Sequence, residues 1–436
     1  MSRRIPREDL SLPIIALGDD GLGHALHGVK PVRVRNALPG EQIQTRVLKR
    51  KRGQLLADGV ALQSKPHAQR RVAACSAFPR CGGCAFHHLD YTAQLQMKAA
   101  GLRDALGKHN VDVQRWREPT TAGRLGYRRK ARLGVRQVGD QVLVGFRESF
   151  SNRVARLEAC LVLTPEASAL LLPLRELLGQ LTIAARIPQI EVAQGDRRLS
   201  LIVRHLQAFS AADLEKLGRF EQRYGIEILL QSGGYDTLQR IDGTPPSILD
   251  YSLPQFGLNL SFAPEQFTQV NAGMNEVLVN TAVGYLGSLK QRSVIDLFCG
   301  IGNFSLAIRR AGASVLGIEM DASAVARARE NARHNGLNSG IEFRVADLYR
   351  PDPLHLPQAD ALVLDPPRSG AGPQLGAWLD AQSRLTRVVY ISCNPQSFAA
   401  DAAILTQHRF KLREVGIYDM FPFTSHVETV GLFERS

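Results

Sequence analysis

The sequence predicts an α/β protein of two or three domains whose C-terminal part is a doubly wound, Rossmann-like sheet. The chain has 436 residues, which is too long for one ordinary domain. Its 44% hydrophobic and 22% charged residues are typical of a folded protein and not of a disordered or fibrous one. From Gln266 onward, short apolar strands alternate with helical stretches, which is the pattern of a parallel sheet covered by helices.

The first part of the chain, residues 1–70, predicts a small OB-like β-barrel. Short apolar strands are expected at residues 12–17, 32–34, 43–47 and 54–60, separated by turn-forming residues. The basic run Lys49-Arg50-Lys51-Arg52 then lies at a hairpin tip. Such a run is often only a solvated hairpin, but in a basic region it favours contact with phosphates.

Residues 71–262 predict a central α+β domain, and residues 263–436 predict the doubly wound domain. The central helix is expected at 165–181, and the central strands at 190–193, 199–203 and 226–231. Residues 251–264 read as the junction into the last domain, and a segment near 93–124 is expected to pack on that domain. The strands of the last domain are expected at residues 293–298, 314–319, 341–346, 361–365, 388–392, 411–418 and 429–433.

The positive charge is concentrated at the front of the chain. Lys and Arg exceed Asp and Glu by 54 to 41, a net charge of +13. Residues 1–160 hold 29 basic and 13 acidic side chains, a net charge of +16, whereas the remainder holds 25 and 28, a net charge of −3. This asymmetry indicates that the front part binds a polyanion.

Several classes of protein are excluded. No stretch of about 18 apolar residues predicts a membrane helix, and residues 1–6 lack the apolar run of a signal peptide. Six cysteines in a long, unsecreted chain indicate metal binding or catalysis and not a disulfide scaffold. We therefore expect a cytoplasmic protein that has no membrane attachment and no evident obligate protein partner.

A nucleotide-type pocket is predicted where the first strand of the last domain runs into Gly300-Ile301-Gly302. Glycines allow close backbone approach, and the following helix N-terminus presents free amides. The third glycine of the dinucleotide fingerprint is missing, which counts against NAD or FAD. The next strands end near Glu319, Asp347 and Asp365, and an acid after the second strand suits ribose hydroxyls. The pattern favours S-adenosylmethionine.

A cysteine follows the fifth strand, at Cys393. A cysteine at a strand end is more often an inert, buried hydrophobe, but here Arg368 on the neighbouring strand end could stabilise a thiolate. A nucleophile is needed to methylate a pyrimidine, because carbon 5 of uracil is too weak to attack a methyl sulfonium until a thiolate has added at carbon 6. A base must then remove the proton from carbon 5, and Glu428 is a candidate.

Five motifs together resemble the RNA (uracil-5-)-methyltransferases over residues 267–428. They are Phe-Thr-Gln-Val-Asn at 267–271, Asp-Leu-Phe-Cys-Gly-Ile-Gly-Asn-Phe at 296–304, Asp-Pro-Pro-Arg-Ser-Gly at 365–370, Ser-Cys-Asn at 392–394 and Phe-Pro-Phe-Thr-Ser-His-Val-Glu at 421–428. The resemblance implies a class I methyltransferase fold in which Cys393 is the nucleophile and Glu428 the base. The residues that it implies for the S-adenosylmethionine site are Gln269, Phe298, Asn303, Glu319, Asp347 and Asp365.

The chain departs from the family pattern at three positions. Phe423 stands where a polar residue is usual, Ser397 where threonine is usual, and Asp347 where a close relative has asparagine. The changes at Ser397 and Asp347 are conservative. Because of Phe423, the family pattern does not predict the detailed conformation of the loop that leads to Glu428.

Four further cysteines form a cluster in the sequence: Cys75, Cys81, Cys84 and Cys160. Spacing alone leaves an iron–sulfur cluster and a structural zinc site both open. The front half resembles the family subgroup that acts on 23S ribosomal RNA, which has an N-terminal TRAM (OB-like) domain and a four-cysteine iron–sulfur cluster. The resemblance therefore implies a [4Fe-4S] cluster, with zinc as the alternative. Cys299 reads as a small buried hydrophobe.

The implied activity is methylation of the 5-position of a uridine in 23S ribosomal RNA. Alternatives are the same chemistry on another ribosomal uridine or on transfer RNA, and a non-catalytic RNA-binding protein. Phe262 and Phe267 could stack on bases, although core packing is the expected role of each. The predicted phosphate contacts are Lys49, Arg50, Lys51, Arg52, Arg124, Arg128, Arg129, Lys130 and Arg132.

Overall fold

The computed structural model describes residues 9–350 and 355–435. The sequence-based expectation for residues 1–6 lies outside these ranges. Across the ranges, no helix is both long enough and apolar enough to cross a membrane.

The front part is a six-stranded, barrel-like sheet. Its strands are β1 (Asp9–Pro13), β2 (Ala16–Leu17), β3 (Gly23–His27), β4 (Lys30–Arg35), β5 (Gln42–Lys51) and β6 (Gln54–Leu62). The order is β1-β5-β6-β4-β3-β2. The two end strands are separated only by Ile14 and Ile15, so the sheet curls back on itself around a core that includes Leu12, Val32 and Val34. The strand β3 was not predicted.

The central part begins with α1 (Tyr91–Lys108) and β7 (Val113–Trp116) and continues into a six-stranded sheet. The strands of this sheet are β8 (Lys130–Val138), β9 (Gln141–Gly145), β10 (Gln189–Gln194), β11 (Leu199–Arg204), β12 (Glu227–Gln231) and β13 (Gln239–Arg240), in the order β13-β12-β11-β10-β8-β9. Its helices are α2 (Pro165–Ala169), α3 (Leu171–Gly179) and α4 (Ala211–Tyr224). The single helix predicted over 165–181 is thus divided in two at Leu170.

The predicted junction at residues 251–264 is largely a hairpin. Strands β14 (Leu249–Leu253) and β15 (Leu258–Phe262) pair antiparallel. Tyr251, Leu260 and Phe262 are buried in the same core as the last domain. The aromatic and apolar residues of the predicted junction are therefore part of the hydrophobic core, because alternate positions of the hairpin face that core.

The last part is an eight-stranded sheet with helices on both faces. Its elements are α5 (Ala272–Leu286), β16 (Ser293–Leu297), α6 (Asn303–Arg310), β17 (Ser314–Glu319), α7 (Ala322–His334), β18 (Ile341–Val345), β19 (Ala361–Leu364), α8 (Leu375–Ala381), β20 (Arg387–Ser392), α9 (Pro395–Gln407), β21 (Phe410–Tyr418) and β22 (Glu428–Arg435). The strand order is β18-β17-β16-β19-β20-β22-β21-β7. The first five strands are parallel, and β22 runs antiparallel to its neighbours β20 and β21.

The eighth strand of this sheet comes from the central segment. Strand β7 pairs parallel with β21, and α1 packs against α9 through Leu102 and Leu106, which share a core with Phe398 and Leu405. Residues 91–116 thus complete the sheet of residues 263–436, although they precede it by more than a hundred positions. The predicted domain boundaries at 70 and 262 stay predictions.

A buried ion pair fastens the barrel to the chain that follows it. Glu41 is 1% exposed, and its carboxylate accepts hydrogen bonds from Arg70 Nε at 2.6 Å and from the amides of Leu38 at 2.8 Å and His67 at 3.0 Å. Burial alone would raise the pKa of Glu41, but the hydrogen bonds from Arg70 and the two amides hold it below its usual value. The ionised carboxylate is therefore part of the folded state.

We expect Glu41→Gln to lower the free energy of unfolding by about 3 kcal/mol at neutral pH, because Arg70 loses its buried partner. Since the pKa of Glu41 is lower in the folded state, its stabilisation is present above the unfolded pKa and is lost as pH falls through the folded pKa. Urea unfolding at several pH values measures this. Asp9→Asn, which breaks an exposed pair with Arg46, should cost less than about 1 kcal/mol; equal losses would contradict the assignment.

Candidate active site

The turn after β16 lies at the carboxyl edge of the sheet, where the cofactor site is predicted. Phe298 leaves the strand in the left-handed conformation, with φ 66°, and Gly302 follows with φ 91°. A Cβ on Gly302 would lie 2.3 Å from Leu306 Cδ1, so both the conformation and the space require glycine there. Asn303 then begins α6, whose free amides point to the edge.

Acidic side chains from neighbouring strand ends gather at the same edge. Glu319 ends β17 and Asp365 follows β19, the two neighbours of β16, and Asp347 follows β18 on the far side of β17. Glu319 accepts hydrogen bonds from the amides of Gly300 at 3.2 Å, Met320 at 2.7 Å and Asp321 at 3.0 Å. Its carboxylate therefore ties the glycine turn to the start of α7.

Two carboxyl groups behind this edge are held in nonpolar surroundings. Burial raises the pKa of Asp296 to about 7, despite a hydrogen bond from Ser305, and burial with nearby Asp296 raises the pKa of Asp365 to about 7. One oxygen of Asp296, Oδ1, is buried with no hydrogen-bond partner. The sequence analysis named Asp296 only as part of a motif and gave it no role. No local sequence pattern shows that its carboxyl group is fully buried.

The predicted residues Asn303 and Gln269 lie on the α5 side of the pocket. The amide of Asn303 is paired twice with that of Asn275, at 2.8 and 3.1 Å, and its Oδ1 accepts from Tyr251 Oη at 2.9 Å. Gln269 lines a small cavity together with Tyr251 and Asn275. Sequence analysis missed Asn275 and Tyr251, which fix the Asn303 side chain from two different elements.

The candidate nucleophile and base lie at the same end of two antiparallel strands. Strands β20 and β22 pair with Ser392 opposite Thr429. Cys393 directly follows Ser392, and Glu428 directly precedes Thr429, so both residues adjoin this last pair. Glu428 is 4% exposed, whereas Cys393 is half-buried. The sheet thus joins two residues that are far apart in the sequence.

The surroundings of this pair favour its neutral forms. Burial, followed by the carboxyl groups of Glu428 and Asp365, raises the pKa of Cys393 to about 11. Burial and nearby Asp365 also raise the pKa of Glu428 well above its usual value. The cation of Arg368 opposes both shifts.

The loop that carries Arg368 is tied to the loop that carries Cys393. The Asn394 side chain donates to the Arg368 carbonyl oxygen at 2.9 Å and also caps α9 by accepting from the Gln396 amide at 3.1 Å. Arg368 Nη2 lies 3.0 Å from Nδ1 of His426. Burial and the nearby cations lower the pKa of His426 to about 4, so this imidazole is neutral at pH 7 and can accept from Arg368.

The four clustered cysteines lie around one small cavity. Cys75, Cys81, Cys84 and Cys160 line it together with apolar and aromatic side chains, and all four thiols are free. Burial raises the pKa of Cys81 to about 11 and also raises the pKa values of Cys84 and Cys160. Within the described ranges, no group of three or more His, Cys, Asp or Glu side chains is arranged to hold a metal ion.

The predicted RNA-contacting residues fall into two groups. Lys49–Arg52 are exposed at the tip of the β5–β6 hairpin, and Arg124 is exposed with its guanidinium over the ring of Tyr91. The second group bonds to the protein itself: Arg128 to the Lys130 carbonyl, Arg129 to Asp196, Lys130 to the Gln266 carbonyl and Arg132 to Glu191. Burial lowers the pKa of Lys130 to about 8.

The two aromatic residues considered for base stacking differ in their exposure. Phe262 is 1% exposed and belongs to the core, so the core packing expected for it is confirmed. Phe267 is 74% exposed, so its expected core packing is wrong, and its ring can stack on a base. Cys299 is buried, as expected of a small hydrophobe.

Comparisons with known proteins agree with this geometry. Residues 288–360 match the family described as Methyltransferase domain, and residues 352–436 match the family described as tRNA (Uracil-5-)-methyltransferase. A solved Pyrococcus abyssi tRNA (uracil-54, C5)-methyltransferase in complex with S-adenosyl-L-homocysteine superposes with a TM-score of 0.74 at 22% identity, over 97% of this chain and 100% of that one. This likeness establishes the class I methyltransferase fold.

Two curated relatives match along their whole length. The 23S rRNA (uracil(1939)-C(5))-methyltransferase RlmD of Aromatoleum aromaticum is 40% identical over 97% of this chain and 99% of its own. The protein of the same name from Nitrosococcus oceani is 42% identical over 99% of this chain and 97% of its own. The chain therefore belongs to the RNA (uracil-5-)-methyltransferase family, in the group of the 23S rRNA (uracil(1939)-C(5))-methyltransferases.

Proposed function

We propose that this enzyme uses S-adenosylmethionine to methylate carbon 5 of uridine 1939 in 23S ribosomal RNA through a covalent adduct of Cys393. The observation that carries the proposal is the pairing of β20 with β22, whose last pair adjoins a cysteine and a buried glutamate. The whole-length relatives carry this substrate in their names. The names of a C-terminal match and of the superposed archaeal enzyme suggest transfer RNA instead, but the first covers only residues 352–436 and the second is 22% identical.

The adenosine-type pocket supports the choice of cofactor. A glycine turn at a helix N-terminus lies among the carboxyl groups of Glu319, Asp347 and Asp365, and acids at these strand ends suit ribose hydroxyls and a base edge. The acidic edge also suits a cationic sulfonium. S-adenosylmethionine, when bound, supplies the methyl group.

The chain's own residues perform the remaining steps. The Cys393 thiolate forms a bond to carbon 6 of the uracil, which places negative charge on carbon 5. After carbon 5 has taken the methyl group, Glu428 removes its remaining proton. The electron pair of that C–H bond restores the ring double bond and breaks the bond from carbon 6 to sulfur, so the thiolate of Cys393 is regenerated. The target base reaches this buried pair only if it is flipped out of its stack.

The four-cysteine cavity supports a [4Fe-4S] cluster as the second cofactor, beside S-adenosylmethionine. All four sulfurs border the same enclosed space, and its walls include Phe78, Phe146 and Leu157. The Gly83 amide donates to Cys81 Sγ at 3.4 Å, and amide bonds to cysteine sulfur are typical of such clusters. Burial raises the pKa values of Cys81 and Cys84, so a bound metal would be needed to hold these two as thiolates at neutral pH. Zinc is the alternative occupant.

The front barrel supplies the charge for holding RNA. The exposed run Lys49–Arg52 and exposed Arg124 are free to meet phosphates, and the excess of positive charge lies in residues 1–160. Mass-spectrometric mapping of 5-methyluridine in ribosomal and transfer RNA from a strain that lacks the protein decides between the two substrates.

Glu428→Gln should accumulate a covalent protein–RNA adduct that survives a denaturing gel, because the adduct forms but the proton on carbon 5 stays. Cys393→Ala should abolish methylation and also remove the adduct from the Glu428→Gln protein. The matched control is Glu434→Gln on the same strand, where Glu434 pairs with Arg387 and Arg413 far from the site. Full methylation by Cys393→Ala, or free turnover by Glu428→Gln, would contradict the mechanism.

The rate of adduct formation should rise with pH, by about tenfold per pH unit below the pKa of Cys393, because only the thiolate reacts. Since that pKa is raised to about 11, the rise should continue through the neutral and mildly alkaline range. Arg368→Gln should move the profile to higher pH, since its cation lowers this pKa. Arg384→Gln, whose partner is Asp360, is the control. A flat profile measured by rapid quench would rule out a thiol of high pKa as the nucleophile.

The protein should be brown when purified without oxygen and should contain about four iron atoms per chain. Cys84→Ser should lose this iron, whereas Cys299→Ser should keep it, because Cys299 lies in the glycine turn away from the cavity. Elemental analysis and the visible absorption spectrum measure both. Stoichiometric zinc without iron would favour the structural zinc site.

A further inference from the structure

The loop that leads into Glu428 is held in place by hydrogen bonds that its own backbone carbonyl oxygens accept, along most of its first half. We call residues 419–427, between β21 and β22, the base loop. Three consecutive carbonyl oxygens accept side-chain hydrogen bonds: Met420 from Asn271 at 3.3 Å, Phe421 from Lys98 at 3.2 Å and Pro422 from Tyr127 at 3.1 Å. Lys98 and Tyr127 come from the central segment of the chain and not from the sheet that carries Glu428.

The next residue, Phe423, is held by the segment that contains two of the clustered cysteines. Its carbonyl oxygen accepts hydrogen bonds from the amides of Ala85 at 2.8 Å and Phe86 at 3.1 Å. Its ring stacks on the His87 imidazole, with centroids 4.4 Å apart and planes at 13°. Ala85 directly follows Cys84, so these contacts connect the cysteine cavity to the base loop.

Phe423 needs such support because of its backbone. Its φ is 65°, in the left-handed region that a bulky residue avoids. A residue persists there only when its surroundings over-determine it. Two hydrogen bonds to the carbonyl and a stacked ring provide that constraint. Phe423 departs from the family pattern, and the structure shows what its ring does in this chain.

The base itself depends on where this loop ends. Glu428 begins β22, and only Thr424–Val427 separate it from Phe423. Within that stretch, Thr424 bonds back to the Phe421 carbonyl at 2.9 Å, and the His426 amide donates to Thr424 Oγ1 at 3.2 Å. The held carbonyls and these local bonds form a series from the central segment to His426, two residues before the base.

We propose that the segment Cys81–His87, with Tyr127, positions the catalytic base, and that His87 and Tyr127 are positioning residues for proton removal from carbon 5. The inference rests on the proposed function of Glu428. A carboxylate must be held to within about 0.5 Å to act efficiently, and these contacts hold the chain that sets its place. Cys393 follows β20, and its own loop is held through Asn394, so its placement does not depend on Phe423. The base loop reaches the surroundings of Cys393 only through the contact of His426 with Arg368.

The test measures formation and resolution of the adduct separately, on the full chain purified without oxygen. His87→Ala should leave the rate of adduct formation and the KM for RNA within about twofold, while adduct resolution slows by about tenfold or more, so that adduct accumulates. His87→Phe, which keeps a stacking ring, should restore resolution. Tyr127→Phe removes only the bond to Pro422 and should slow resolution in the same sense. The control is His88→Ala, because His88 stacks on Phe78 and not on the base loop.

The outcomes separate this inference from the proposed function. If Glu428→Gln accumulates adduct but His87→Ala and Tyr127→Phe resolve it at the normal rate, the positioning role is wrong and the base assignment stands. An equal loss of formation and resolution in the His87→Ala and Tyr127→Phe proteins would also overturn the inference, because it would indicate general disruption. If Glu428→Gln itself turns over freely, the base assignment fails. Should His87→Ala not fold, Tyr127→Phe decides the question.

Discussion

The pairing of β20 with β22 is the constraint on which the proposed chemistry depends. Its last pair, Ser392 with Thr429, adjoins Cys393 and Glu428, and a slip by one residue would turn the side chains of one strand to the other face of the sheet. The buried core on both faces of the strands holds this register, through residues such as Tyr390, Val430 and Phe433. The candidate catalytic residues are thus placed by apolar packing that itself takes no part in the proposed reaction. The raised pKa values at the site follow from the same packing, since the nonpolar surroundings disfavour charge.

The architecture of the last domain could be predicted from its sequence because each strand is short, apolar and bounded by turn residues. Strand β17 at Ser314–Glu319 coincides with its prediction, and β16, β18, β19 and β20 differ from theirs by one residue at one end. The carboxyl ends of parallel strands meet at one edge, so the meeting of Glu319, Asp347, Asp365 and Cys393 could also be expected. The assignment of roles to them came from the motif resemblance.

What the sequence could not reveal depends on contacts between distant segments. The eighth strand β7, the Asn275–Asn303 pair and the hydrogen bonds to the base loop each join residues that no local period connects. The basic cluster at residues 128–132 is a second case in which the sequence does not reveal contacts between distant segments. Charge alone suggested phosphate contacts there, but Arg129 and Lys130 are engaged by Asp196 and by the Gln266 carbonyl. Whether a charged side chain is already paired within the protein depends on tertiary structure and not on the local sequence.

The position of β7 has a consequence for how the protein is made. Val113 pairs with Leu412, so the two strands are 299 residues apart in the chain. During synthesis on the ribosome, α1 and β7 emerge long before β21 exists, and the last sheet stays incomplete until nearly the whole polypeptide has been released. Until β21 has been made, β7 has no partner strand and presents an open edge that other chains could join. A fragment that starts at residue 263 would keep that open edge permanently, so the catalytic sheet is a product of the entire chain.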